Sequence, residues 1–269
     1  MGNTLTYQEL IDDAPLLLLF LLTIILMVVF IEIGFVLAQR NRGKPNKSQM
    51  AQVRAVMAAS LGLLAFMLAF SFSTAQRHFE SRIDAYLLEI SAVDFAYRGA
   101  GLLGIERQEA AKDLLREFMA LRRETKMASD KNDSYLVIEN IRKAGRIQDE
   151  LWSIAESSMA EEDSVDAGIF VNAILAMIKA NNERVQAKLF NRISPIVSIT
   201  LLTMALLSMI IMGFQAGLTG TYSRLATWTL AITFSAVMVL VIDLDRPSMS
   251  LFKMNQQLMV DLQNRMNPT

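Results

Sequence analysis

The side chains best able to do chemistry in this sequence are charged residues set among apolar ones. Asp94 and Arg98 lie in a run where Ile83, Leu87, Ile90 and Tyr97 recur at helical spacing. At 100° per residue the Asp94 carboxylate falls in the middle of that stripe. A carboxylate buried there needs an ion pair, hydrogen bonds or a proton. Arg98, one turn on, is the partner at favourable spacing. The pair reads as an internal salt bridge that fixes helix packing or, if the stripe faces copies of itself, as part of a polar ring around an oligomer axis. Glu32 sits inside an apolar run, about 9 Å of helix from the run's end. It either lines an aqueous path or polar partner site, or reaches the headgroup zone and pairs with Arg40 or another cation. Asp243, Asp245 and Arg246 crowd together directly after the last apolar run and ahead of Pro247. They anchor a helix end at an interface, or form an intramolecular ion pair or a docking surface.

The elements that must position these groups are dominated by four apolar runs. Residues 14–38, 55–73, 196–216 and 225–242 are each near or above the roughly 20 apolar residues that cross a bilayer. They read as spans 1 to 4. A basic link, 39–54, joins the first pair, and a tail, 243–269, follows the last. Between the pairs, residues 74–193 form a polar, helix-periodic insert.

The expected fold is all-α: four transmembrane helices and a helical-bundle insert that continues spans 2 and 3. Span 2 runs on past Ser73, and the three glycines of 99–104 break it. A second helix has Ala111, Leu114, Leu115, Phe118 and Leu121 on one side. Residues 129–134 make a polar turn whose last members are good N-caps. The next helix carries Val137, Ile141, Ala144, Leu151 and Ile154, and residues 161–164 turn again. The last has Ile169, Phe170, Ala173, Ile174 and Met177 on one side. Pro195 is either the first-turn proline of span 3 or a kink.

Span 2 has two distinct faces. Ala58, Gly62, Ala65 and Ala69 make a small-residue stripe that lets another helix approach closely. Leu63, Met67 and Phe70 are bulky, and in a pore of several copies they would form a constriction that gates by dewetting. The plainer alternative is that they face lipid or neighbouring spans.

Composition narrows the function. The chain has 269 residues, is 53% hydrophobic and carries a net charge of −1, so no global field draws it to nucleic acid. It has no cysteine and one histidine, His78. That leaves no thiolate nucleophile, no His-rich metal site and little for a Ser-His-Asp arrangement. No Gly-rich phosphate loop or ligand-spaced carboxylates appear, so no catalytic residue, metal or cofactor is expected and the chain is not read as an enzyme. The 17 methionines are scattered through the apolar runs as fillers. The first apolar run is too long for a cleavable leader, so it is expected to stay as a span.

Charge also suggests an orientation. Arg40, Arg42, Lys44, Lys47 and Arg54 fill the link between spans 1 and 2, whereas Glu9, Asp12 and Asp13 precede span 1. Basic short loops stay cytoplasmic. The N-terminus, the insert and the tail are therefore expected outside, which in a bacterium is the periplasm. Against this, the link between spans 3 and 4 offers only Arg224, while the tail carries Arg246, Lys253 and Arg265.

The chain resembles the bestrophin-like bacterial membrane proteins, long catalogued as a domain of unknown function. After span 2, Phe79-Glu80-Ser81-Arg82, Glu89, Ala96-Tyr97-Arg98 and Leu102-Leu103 resemble that family's FExR…E…AYxRxxLL stretch. Asn182 through Arg192-Ile193-Ser194-Pro195 is similar to its segment before span 3. Asp243 to Pro247, Gln256-Gln257 and Asp261-Leu262 resemble its tail signature, with Ser250 and Leu258 where that pattern has glycine and proline. The resemblance implies four spans and a helical insert. Its more remote link to the bestrophins, pentameric anion channels, implies an oligomeric pore and also cytoplasmic termini and insert, against the charge count. No acidic run resembles their calcium-binding clasp.

Two functions follow as expectations. The first is a homo-oligomeric anion channel of the bacterial inner membrane with span 2 lining the path. The second is a membrane-anchored interaction or sensor protein whose large helical bundle docks a protein partner.

Overall fold

A computed structural model of the chain describes residues 14–40, 46–130, 133–161, 165–220, 223–246 and 257–266. These form eight α-helices and no strand. In chain order they are α1 (Leu16–Arg40), α2 (Lys47–Ala100), α3 (Ile105–Asp130), α4 (Ser134–Glu161), α5 (Val165–Phe190), α6 (Pro195–Thr219), α7 (Arg224–Asp245) and α8 (Gln257–Met266). Parts of α1, α2, α6 and α7 are each long and apolar enough to cross a membrane. The chain is a helical membrane protein.

Local chemistry sets the helix ends. The Gln49 side chain accepts the Asn46 backbone N–H at 3.2 Å, the returning half of a capping box that starts α2. Helix α2 stops where tight turns close onto Arg98, Gly99 and Ala100, at the expected glycine cluster. The Asp133 carboxylate accepts the N–H of Leu136 and caps α4. Pro195 is a first-turn proline behind Ser194, so α5 and α6 are separate helices and only α2 runs unbroken from span into insert. Gly220 ends α6 with φ +66, a left-handed turn that glycine adopts without strain. Of the expected turn at 161–164, residues 162–164 lie outside the described residues.

The chain divides into two compact units. The first comprises Met1–Phe79 and Arg192–Pro247. Its core joins Met27 and Ile31 of α1, Leu64 and Leu68 of α2, Leu201, Ala205 and Met209 of α6, and Ala231 and Met238 of α7. Helices α1 and α6 touch backbone to backbone. A β-carbon on Gly34 would strike the Ile210 carbonyl, and one on Gly213 would strike the Ile31 carbonyl. At Gly217 it would lie 2.6 Å from the Ala38 β-carbon. Thr203, Ser208 and Thr233 donate their hydroxyls to carbonyls one turn back on their own helices, and Thr227 to the Ser223 carbonyl just ahead of α7, so no partner helix is needed to satisfy them.

The second unit comprises Glu80–Asn191 and Ser248–Thr269. Its core runs through Val93, Leu115, Phe118, Leu151, Phe170, Ile174 and Met177, with Leu262 and Met266 of α8 packed into it. The apolar stripes expected for α3 and α5 are largely those buried. On α2 the buried face is different from the expected one. Arg82, Tyr86, Glu89, Val93, Ala96 and Ala100 point inward, while Leu87 is exposed. The real face is rotated by roughly a third of a turn from the Ile83/Leu87/Ile90/Tyr97 stripe.

The α1–α6 contact gives the first prediction. Gly213→Ala lowers stability by about 1–3 kcal/mol, because the added methyl must displace backbone. Gly62→Ala, where a β-carbon meets open space, leaves stability unchanged or raises it by up to about 1 kcal/mol through helix propensity. Thermal unfolding of both variants in detergent checks the ordering; equal midpoints would contradict the close approach.

Candidate functional site

The most unusual chemistry in the molecule is a charge cluster inside the second unit. It is built by three helices. Glu89 stands on the buried face of α2, Arg122 on α3 and Arg184 on α5. Arg122 Nη2 donates to Glu89 Oε2 at 3.1 Å, and Arg184 Nε lies 2.9 Å from the same oxygen. The side chains of Glu89 and Arg122 are 3% and 7% exposed, that of Arg184 16%. Glu89 Oε1 and Arg122 Nε are buried without a hydrogen-bond partner. The same holds for the Tyr86 hydroxyl and for both amide atoms of Asn140.

Electrostatics follows from that geometry. Burial, then repulsion from Arg122, pulls the Arg184 guanidinium down to about 10, although Glu89 opposes the fall. Burial raises Tyr86, the Glu89 charge adds to the rise, and Arg122 works against it. Both shifts follow from burial beside charged neighbours. At about 10, the Arg184 guanidinium is still charged at neutral pH. Its chemistry is binding and positioning. Among the described residues no group of three or more His, Asp or Glu side chains is placed to hold a metal ion.

The residues singled out from sequence occupy other places. Asp94 sits on the flank of the buried face, with 27% of its side chain exposed, and is not at the stripe's centre. It pairs with Arg98 at 3.1 Å, the expected one-turn partner, and lies 3.7 Å from Arg265 of α8. Close by on α2, Tyr97 donates its hydroxyl to the Met266 carbonyl at 3.0 Å. Arg116 donates to that carbonyl at 2.8 Å and to the Tyr97 oxygen at 3.0 Å. A cation therefore closes the C-terminus of α8, where the helix dipole favours it. Leu262 and Met266 are the apolar anchors of this docked tail.

Asp243 and Arg246 are buried in the first unit, at 0% and 2% exposure, rather than lying open at a surface. Asp245 accepts the Ile193 N–H at 2.8 Å and lies 3.7 Å from His78 Nδ1. These groups join the end of α7 to the start of α6 and to α2, around a small apolar core of Ala75, Ile193, Val241 and Leu244. Pro247 lies outside the described residues. Glu32 is on the exposed side of α1.

On α2, Leu63 and Phe70 are 53% and 55% exposed, and Met67 is partly buried against the core of the first unit. Phe66, which sequence reasoning passed over, is the most open of the face at 65%. Ala58, Gly62, Ala65 and Ala69 are exposed as well, so among the described residues the small-residue stripe is not covered by another helix. Arg122 and Arg184 were missed too. Of the cluster only Glu89 carried a signal, through the family pattern.

Comparison with known proteins places this geometry in a fold. No protein-family model matches the chain, and no curated protein matches it. Among solved structures, the chain is similar to the crystal structure of a bacterial bestrophin homolog from Klebsiella pneumoniae carrying a point mutation. The TM-score is 0.62 at 11% identity, with 94% of this chain and 98% of that chain covered. The chain therefore has a bestrophin-like fold, all helical and membrane-spanning.

The cluster gives a second prediction. Glu89→Ala, which strands two buried guanidiniums, lowers stability by about 3–5 kcal/mol. Asp113→Ala, removing an exposed partner of Arg116, costs less than about 1 kcal/mol. Equal losses in thermal unfolding would mean that the Glu89 pair is no stronger than a surface one.

Proposed function

We propose that this chain assembles with copies of itself into an ion channel of the bacterial inner membrane, conducting anions, with α2 lining the path. The observation that carries the reading is the uncovered face of α2. Its inner side, Leu64, Leu68, Ser71 and Ala75, is buried against its own chain. Its outer side keeps Leu63, Phe66 and Phe70 about half exposed, interleaved with small residues. Large side chains alternating with small ones suit a seam between copies, where backbones approach over Gly62 and Ala69 while the rings point to a shared axis. A ring of such aromatics is a hydrophobic constriction that passes ions only when wetted. Further along α2, in the second unit, Leu88 and Phe95 are half exposed as well, which fits a second copy continuing along the helix. The bestrophin-like fold is consistent with this assembly.

The docked α8 and the large helical insert suit the second reading, a partner-binding module, only if a heterologous protein is found on the bundle. The α2 face favours the channel. For orientation, the basic link before α2 supports a periplasmic N-terminus, insert and tail. A phosphatase fused after Thr269 is then active, and cytoplasmic placement of the fusion would reverse the orientation.

The channel reading predicts a closed ring of subunits in detergent and a conductance in planar bilayers. Phe70→Ala and Phe66→Ala change that conductance, by several-fold if the rings set the narrowest point. A monomer that carries no current overturns the proposal.

A further inference from the structure

The hairpin of α3 and α4 has two ends that differ in charge. Residues 118–147, which include its turn, hold seven bases against four acids. The remaining parts, 105–117 and 148–161, hold three bases against eight acids. The turn end also exposes bulky apolar side chains. Tyr135 is 79% exposed, and Met127 and Ile138 are each 53% exposed. None of the three belongs to the buried core of the second unit.

The register of the bundle places this tip. Arg122 donates to Glu89 and Arg116 to the Tyr97 oxygen, so α3 runs antiparallel to α2 and its last turn comes level with Arg82. At that level Arg82 Nη1 donates to the Asn191 carbonyl and Asn191 Nδ2 to Ser81 Oγ, both at 3.2 Å. Asp113 and Glu117 of α3 share a groove with Glu150 and Ser153 of α4. Helix α4 is therefore antiparallel in turn, and Ile138 comes level with Met127. The apolar tip lies at the end of the second unit where the chain enters and leaves it. From there α2 continues unbroken into its apolar run, Ser81 standing about 12 Å of helix from Ser73. A headgroup layer fills roughly 5–8 Å of such an interval, which brings the tip within side-chain reach of the lipid surface.

The residue types suit that surface. Tyrosine is apolar in its ring and polar at its end, as the boundary between lipid and water requires. Bases beside it attract anionic lipid phosphates, and the same phosphates repel the acidic far half. Exposed apolar groups gathered at one level need a partner, and charge selects the bilayer.

We propose that the turn end of the α3–α4 hairpin docks on the headgroup layer of the bilayer. Met127, Tyr135 and Ile138 enter the interface, and Lys126 and Arg142 stand beside lipid phosphates. The contact tethers the insert on whichever side of the membrane it lies, and it does not depend on a pore along α2.

The chain has no cysteine, so an introduced thiol takes the only label. Full-length Tyr135→Cys and Ile138→Cys are each labelled with bimane and placed in nanodiscs containing phosphatidylglycerol and a lipid with a nitroxide on its headgroup. Both labels lose most of their fluorescence to the nitroxide lipid and little to aqueous iodide. Ile105→Cys and Val165→Cys, at the acidic far end, show the opposite order. All four positions are exposed, so the substitutions leave the fold intact. Iodide quenching at 135 and 138 as strong as at 105 and 165 would overturn the proposal. Shielding from both quenchers would overturn it too, since protein, such as a second copy of the chain, would then cover the tip.

Discussion

A single oxygen, Oε2 of Glu89, fixes how three helices of the second unit meet. It takes Arg122 from α3 at 3.1 Å and Arg184 from α5 at 2.9 Å. The surrounding core is rich in alanine: Ala92, Ala96, Ala100, Ala111, Ala144, Ala155, Ala173 and Ala180 are all buried. Small side chains let helices come close but resist sliding poorly, because a shift of one turn exchanges one methyl for another. A buried carboxylate between two guanidiniums has one register in which both contacts are made. Every other register strands a charge, at a cost of several kcal/mol per ion. The apolar layers supply the driving force, and the cluster supplies the address. Helix α8 exploits the same logic at lower strength, its last carbonyl held by Arg116 and Tyr97 over an apolar anchor.

The first unit solves its packing problem without charge. Lipid tails are as apolar as leucine, so little hydrophobic force presses one span on another. What remains is contact at close range, and α1 and α6 achieve it by omitting side chains at Gly34, Gly213 and Gly217. Among the described residues of this unit, buried charge lies at the end of α7. There Asp243 and Arg246 are buried, and Asp245 takes the backbone N–H of Ile193, just ahead of the proline that starts α6. That bond satisfies a donor exposed by the break between α5 and α6, in a place where water cannot be relied on to do so.

Much of this was legible in the sequence, and the failures have a common cause. Four apolar runs and the glycine break at 99–104 announce themselves locally, and the helix periods of α3 and α5 do too. The face of α2 in the insert does not. Reading bulk as burial selects Ile83, Leu87, Ile90 and Tyr97; of these Ile90 is buried and Tyr97 packs against the core, but the chain also buries alanines together with Arg82 and Glu89 and leaves Leu87 exposed. That choice moved the apparent buried acid from Glu89 to Asp94. Arg122 and Arg184 look like ordinary solvated charges until helices distant in sequence bring them to one carboxylate. Small residues misled in the same way. The stripe on α2 was visible because it repeats every few positions, yet the backbone contact uses glycines on α1 and α6, whose pairing no single-helix pattern reveals.

Two features of α2 make different demands on what surrounds them. The α2 face is broad, apolar and half exposed, so only a surface of matching size, such as the same helix in another copy, removes it from contact with lipid or water. The Glu89 cluster is enclosed by its own bundle, with Glu89 and Arg122 only 3% and 7% exposed, and helices of the same chain supply its partners. Glu89 and the apolar face nonetheless lie on one continuous helix, Lys47–Ala100, so a single element carries both the register of the second unit and the open face of the first.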